Sequence, residues 1–403
     1  MVSQLAGSGG PGPYHSRVEH TAETVLEVGA ILLAAAGAGW LARRLTLPAI
    51  VGYLAVGLAV SPFTPGYVAD RGQVSLFAEV GAILLLFEVG IEVDLRELRR
   101  EHPAVLWAAP IQMAITFGAS TAAFSLLGLD LAAAALLGLA IAMSSSVVVV
   151  NITRSRRRTT DRETDHLLIG WSVLQDVIGV AGAIILLAVL GAGRPIHLTL
   201  LGLTAFGALA LLTSRLLPRV LARMRSEPDL FLAVSIATGL AVAGAGALLT
   251  GMPLALAAFI AGLTISEGPV SSEARKRLLP FRDLFAIFFF VAIGTLIDPG
   301  ALGRGLGWLA LSLGLVVVAK SLVIFGLARL ARLPAHHGQL AVGLGQVGEF
   351  GFVLATVAVA RGVLPGEVYA ALLAAVALSI AASSIAVRVI RRPAPIVAAS
   401  ISS

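Results

Sequence analysis

Apolar runs of about 15–25 residues recur along almost the whole chain, broken only by Pro, Gly and clusters of arginine. No soluble core needs so many. In a bilayer each run is long enough to cross, and a crossing segment has to satisfy its own backbone, which makes it helical. Read this way, the sequence predicts thirteen spans, at 22–42, 47–60, 74–93, 103–127, 131–153, 165–191, 196–217, 228–249, 253–267, 281–297, 302–329, 335–360 and 366–388. The second and ninth are short, so each is expected to be tilted, broken or sheltered by its neighbours. Composition agrees: 58% of residues are hydrophobic and 13% charged, where soluble domains carry about 25% charge. The absence of cysteine excludes disulfides, thiolate metal sites and cysteine nucleophiles. Residues 1–21 are Gly/Pro/Ser-rich at their start, lack the order of a signal peptide, and read as a disordered extracellular tail. The segment 393–403 reads as a cytoplasmic tail.

Basic residues orient the chain. Twenty-three lie in one set of alternating loops and ends, chiefly around Arg96–Arg100, Arg154–Arg162, Arg215–Arg225 and Arg275–Arg282, and five lie in the other set. Lys320, inside a span, completes the 29. By the positive-inside rule the N-terminus is outside and the C-terminus cytoplasmic. The basic excess is therefore a topology signal rather than a nucleic-acid surface, and no nucleic-acid partner is expected.

The chain also repeats itself. Pro48, Gly57 and Ser61 of "LPAIVGYLAVGLAVS" recur with the same spacing as Pro253, Gly262 and Ser266 of "MPLALAAFIAGLTIS". Gly90 and Asp94 then recur as Gly294 and Asp298. Seven spans separate the copies, so they face opposite ways across the membrane, the inverted repeat of secondary transporters.

An ionisable group inside a span is a functional candidate, with a structural salt bridge as the plain alternative. Asp176, in "WSVLQDVIGVAGAIILLAVL", is the foremost. Lys320, Glu88 and Glu349 are the others, with Glu79 nearer a span end, and Lys320 reads equally as site residue or structural counter-ion. Two spans look interrupted: "AMSSSVVVVNIT" and "VGLGQVGEFGFV", counterparts by the repeat because Ser144 maps onto Gly348. Unwound backbone is tolerated at membrane depth only where it is buried or lines a cavity. Half-helix ends would then lie beside Asp176, C-terminal carbonyls favouring a cation and N–H groups offsetting negative charge. "GLGQVG" matches the dinucleotide fingerprint, but that motif needs a strand–turn–helix setting and is rejected here. His336–His337 lies at a loop–helix junction and is not read as a metal site.

"LLLFEVGIEVDLRELRR", "AMSSSVVVV", "LQDVIGV", "FFFVAIGTLID" and "GLGQVGEFGFVL" resemble, in order, segments of the bacterial monovalent cation:proton antiporters, in the branch containing sodium/proton antiporters and Kef-type potassium transporters. The resemblance implies a homodimer in the bacterial inner membrane, surrounded by lipid. Each protomer would have a transmembrane domain over 22–392, with a mobile core from 103–191 and 302–388 holding two crossing discontinuous helices. The dimerisation part would come from 22–93 and 228–297. It implies that Asp176 is the essential carboxylate, with Ser144, Ser145 and Ser146 as neighbouring broken-helix residues. Gln175 resembles the Kef-type subgroup, where the electrogenic group carries a second aspartate. Lys320 resembles the lysine that pairs with that aspartate, which is missing here. The Kef-type regulatory domain would be absent or lie on another, cytoplasmic subunit.

The expectation is thus an all-α polytopic protein exchanging potassium or sodium for protons, with no cofactor beyond the transported ions and with Asp176 as the cation ligand. Hydroxyls of Ser144–Ser146, the Gln175 carbonyl and unwound backbone would supply further oxygens. A cation-coupled symporter of similar fold is the rival reading. An intramembrane enzyme would need a nucleophile with a base, and no span offers a well-placed histidine.

Overall fold

Each apolar run closes its own hydrogen bonds as a helix, and Pro, Gly and the arginine clusters end them. The computed structural model describes residues 13–45, 47–64, 71–92, 102–153, 160–190, 196–265 and 270–390, and among these it contains helices and no strands. In chain order they are α1 (Pro13–Arg44), α2 (Ala49–Ala59), α3 (Arg71–Glu92), α4 (Pro103–Leu126), α5 (Leu131–Ala142), α6 (Ser146–Thr153), α7 (Arg162–Val189) and α8 (Ile196–Arg223). They continue with α9 (Pro228–Thr250), α10 (Leu254–Leu263), α11 (Ser271–Thr295), α12 (Pro299–Arg304), α13 (Leu306–Leu330), α14 (His337–Leu344), α15 (Phe350–Ala360) and α16 (Gly366–Val389).

Eight of these are long and apolar enough to cross a membrane: α4, α7, α9, α11, α13, α16 and the Ala22–Arg44 and Leu200–Arg223 parts of α1 and α8. With α3, the short α2 and α10, and the pairs α5/α6 and α14/α15, they match the thirteen expected spans one for one. The protein is an all-helical, multi-pass membrane protein. Two ends differ from expectation. Helix α1 begins at Pro13, within the expected tail. The eleventh span begins at Leu306, because residues 299–304 form a separate short helix capped by the Asp298 carboxylate on the Gly300 N–H at 2.8 Å. Asp94, Ser266, Arg96, Arg99, Arg100, Arg154, Arg156, Arg157, Arg158, Arg194, Arg391, Arg392, residues 1–12 and residues 393–403 lie outside the described residues.

The repeated landmarks meet in pairs. Pro48 and Pro253 occupy the same cap position of α2 and α10 with nearly the same backbone, φ/ψ −60°/145° and −57°/140°. Gly57 packs on Gly294, so that a Cβ on Gly57 would lie 2.7 Å from the Gly294 Cα and run into the Val291 carbonyl oxygen. Gly90 packs on Gly262 in the same way, against the Phe259 and Phe87 carbonyls. Because Gly57 maps onto Gly262 and Gly294 onto Gly90, one contact is the repeat image of the other. Small residues let helix backbones approach this closely in a membrane, where packing replaces the hydrophobic drive between helices. Gly57→Ala is expected to destabilise the protein by about 1–3 kcal/mol through overpacking, read as a lower unfolding temperature in detergent. Gly118→Ala, with nothing within 4 Å of its Cβ, is the control. An unchanged temperature for Gly57→Ala would mean the two helices part freely.

Candidate functional site

Two helices stop in mid-span and cross. The first break separates α5 from α6 at 143–145, and the second separates α14 from α15 at 345–349. Ser144 and Gly348, the counterparts in the repeat, sit at the crossing, where a Cβ on Gly348 would lie 2.7 Å from the Ser144 backbone. Hydrogen bonds tie the strands of backbone together: the Gly348 N–H donates to Met143 O at 3.1 Å. The Gln346 side chain accepts from Ser145 N–H at 3.1 Å and donates to Ser145 O at 3.2 Å. Ser144 Oγ donates to Leu344 O, the last residue of α14, at 2.7 Å. Of the glycines of "GLGQVG", Gly348 thus serves close backbone approach, while Gly343 and Gly345 pack against the Leu168 and Ser321 side chains.

The C-terminal ends of α5 and α14 point their last carbonyls at the crossing, a concentration of negative potential. Lys320 answers both. Its Nζ donates to Met143 O at 2.7 Å and to Gln346 O at 2.6 Å, and the side chain is fully buried. It reaches them from a π-helical turn in α13, Val316–Ser321. Such single-turn insertions recur at functional sites, and this one is secured by Thr116 of α4, whose hydroxyl donates to Ala319 O at 2.7 Å. Both of the Lys320 bonds go to backbone at the two breaks.

Asp176 lies on α7, 1% exposed, and lines a small cleft with Val89, Ser146, Val149, Val150, Ile169, Ser172 and Val173. The cleft runs beside α6 and the first half of α7, the ends that lead to Thr153 and Arg162 on the arginine-bearing side. Lys320 exerts a direct electrostatic pull on Asp176. Beyond the second break, Phe350 and Phe352 of α15 pack edge-on against Phe259, Phe289 and Phe290, with ring centroids 5.9–6.4 Å apart.

The expected residues divide. Ser146 shares the cleft with Asp176, and its hydroxyl donates to Glu349 Oε1 at 3.4 Å. Ser145 Oγ accepts from Val148 N–H at 3.2 Å and caps α6, while Ser144 is engaged with Leu344. Gln175 is fully buried, and its NH2 donates to Gln112 Oε1 at 2.6 Å. Glu349 is 3% exposed at the start of α15. Glu88 stands apart from the crossing. Its two oxygens accept from Arg275 Nε and Arg282 Nη1, each at 2.7 Å, which ties α3 to α11. Arg282, whose charge also acts on Glu349, links it to the site. Glu79 is exposed. His336 caps α14 through the Gln339 N–H at 3.2 Å. Sequence reasoning missed Ser172, which lines the cleft, and Gln112, which joins α4, α5 and α7. A lone amide inside the apolar run "AAPIQMAITF" was the available signal for the second.

Two discontinuous helices crossing at a buried, charge-compensated point beside the cleft that Asp176 lines define an ion-coupled membrane transporter of inverted-repeat type. The family model for "Sodium/hydrogen exchanger, transmembrane" matches residues 31–391, and the chain belongs to that family. It is 33% identical over 361 residues to an Escherichia coli (strain K12) protein that carries the name cation/proton antiporter YbaL. The match takes in 85% of this chain, which spans 64% of that relative's length. The solved structure of the sodium proton antiporter MjNhaP1 from Methanocaldococcus jannaschii shares the fold with a TM-score of 0.67. That likeness covers 91% of this chain and 96% of the other at 18% identity.

Proposed function

We propose that the chain exchanges a monovalent cation, potassium or sodium, for protons by alternating access, with Asp176 as the group that binds one or the other. The observation that carries this reading is the placement of Asp176: buried, lining a small cleft, and beside a crossing whose carbonyls Lys320 holds. Burial disfavours a bare carboxylate anion, so a proton or a metal ion is drawn in to neutralise it. Hard alkali cations take oxygen ligands, and Asp176, Ser146, Ser172 and the Gln175 carbonyl oxygen supply that chemistry. With the arginine-rich side cytoplasmic, the cleft faces inward.

Position 175 sets the stoichiometry. One carboxylate is neutralised by one proton or one monovalent cation, so both loaded forms carry the same charge, and one-for-one exchange moves none. Lys320 is committed to two carbonyls and is not counted among the exchanged groups in this reading. The helices of 103–191 and 302–388 then form the moving core. Those of 22–93 and 228–297, fastened by the glycine pairs and by Glu88, form the scaffold and the contact of a homodimer in the inner membrane.

The test is proton flux in proteoliposomes on addition of each alkali cation to one side. Exchange moves protons toward the side from which the cation leaves, with potassium or sodium effective. A symporter of the rival kind would move proton and cation the same way, and that result would overturn the reading.

A further inference from the structure

Three buried side chains form a hydrogen-bond relay whose direction is forced. Trp171 Nε1 lies 3.3 Å from Gln112 Oε1. An indole N–H can only donate, so the atom it meets must be the Gln112 carbonyl oxygen. At the other end Gln112 Nε2 lies 3.3 Å from Ala142 O and 3.0 Å from Thr116 Oγ1. A backbone carbonyl can only accept, so that end must be the NH2. Thr116 spends its own proton on Ala319 O, another pure acceptor, and so takes the Gln112 N–H as an acceptor too. The amide of Gln112 has one orientation compatible with all three of these neighbours. Side-chain amides usually have two that must be judged from the network; here the network leaves no choice.

The consequence falls on Gln175. Gln112 Oε1 accepts from Gln175 Nε2 at 2.6 Å. A carbonyl can face only the donor end of another amide, so the Gln175 oxygen is turned away from Gln112. That oxygen is buried, in a residue 0% exposed, and among the described residues no group donates to it. A buried acceptor left open is costly and calls for an explanation. A cation supplies one.

We propose that Gln112, locked by Trp171 and by the carbonyls of Ala142 and, through Thr116, Ala319, is a positioning residue that fixes the Gln175 amide with its oxygen presented to the transported alkali cation and its NH2 held away from it. This rests on the exchange reading and deepens it, because it assigns the specificity element at position 175 to a residue on another helix. Without Gln112 the amide turns freely and presents its NH2, which repels a cation, in part of the population. The relay also runs to the carbonyl of Ala319, next to Lys320, so one chain of bonds spans both charged partners of the site.

The experiment measures sodium and potassium affinity by calorimetry on the purified full chain, and the cation KM and saturating rate in proteoliposomes. Gln112→Met is expected to weaken cation affinity by up to about tenfold, the loss of the one amide–amide hydrogen bond that orients Gln175, with the saturating rate and its pH profile unchanged. Trp171→Phe removes a single N–H and is expected to act in the same direction, which keeps the test open should Gln112→Met fail to fold. In a Gln175→Met background, read by calorimetry, adding Gln112→Met should change nothing further. An equal loss in both backgrounds, or unchanged affinity in both Gln112→Met and Trp171→Phe, overturns the assignment. If the unsubstituted protein shows neither cation binding nor cation-driven proton flux, the exchange reading itself falls, and this inference with it.

Discussion

Replacing Asp176 with asparagine is expected to abolish cation-dependent proton flux while leaving the protein folded. The change removes the charge and little else. Asp176 is 1% exposed and lines the cleft with the hydroxyls of Ser146 and Ser172, so an amide of the same shape fits the space. Removing a charge from a buried position does not cost the fold what removing an apolar side chain would, and replacement of buried charges is often neutral or stabilising. Lys320 keeps both of its carbonyl partners in the variant. The measurement is flux in proteoliposomes beside thermal unfolding in detergent. Undiminished flux in Asp176→Asn would move the site elsewhere, with Glu349, bonded to Ser146, the next carboxylate along.

Lys320→Met is expected to have the opposite profile, a large loss of stability. Its ammonium makes two bonds in a place no water reaches, to the carbonyls that end α5 and begin the second break. Hydrogen bonds to a charged group are each worth about 1.5–3 kcal/mol, and the Gln346 carbonyl loses its donor outright. Asp176 loses its neighbouring positive charge at the same time. A fall in unfolding temperature of the purified protein, or its failure to be recovered from the membrane, is the expected outcome, with Lys320→Arg milder because the charge is kept. Wild-type stability in Lys320→Met would show that the half-helix ends need no counter-ion.

Much of this architecture was legible in the residues. Apolar run length set the spans, and the paired prolines and glycines announced an inverted repeat whose contacts, Gly57 with Gly294 and Gly90 with Gly262, are images of each other. Serine and glycine inside an apolar run marked both breaks. What stayed hidden is which side chain meets which, because those meetings cross the fold. Lys320 reaches Met143 over 177 positions and Arg282 reaches Glu88 over 194. A sequence places Glu88 and Glu349 alike inside spans. Only packing puts one against two arginines of α11 and the other against Ser146. Three adjacent serines likewise read as equivalent ligands, yet the path of the unwound backbone sends one to a carbonyl, one to a helix cap and one to the cleft. The phase of a helix and the depth of a break are tertiary quantities, and residue type alone does not set them.

The most direct measurement is net charge movement per exchange cycle. Proteoliposomes holding the full chain receive a cation pulse while the membrane potential is clamped at a series of values by a lipophilic-anion gradient. One-for-one exchange at the single carboxylate of Asp176, with Gln175 beside it, predicts proton flux that starts with the cation and runs at the same rate at every potential, without steady current. A sustained current, or a rate that follows the imposed potential, would mean that a second group titrates in each cycle and would contradict the account.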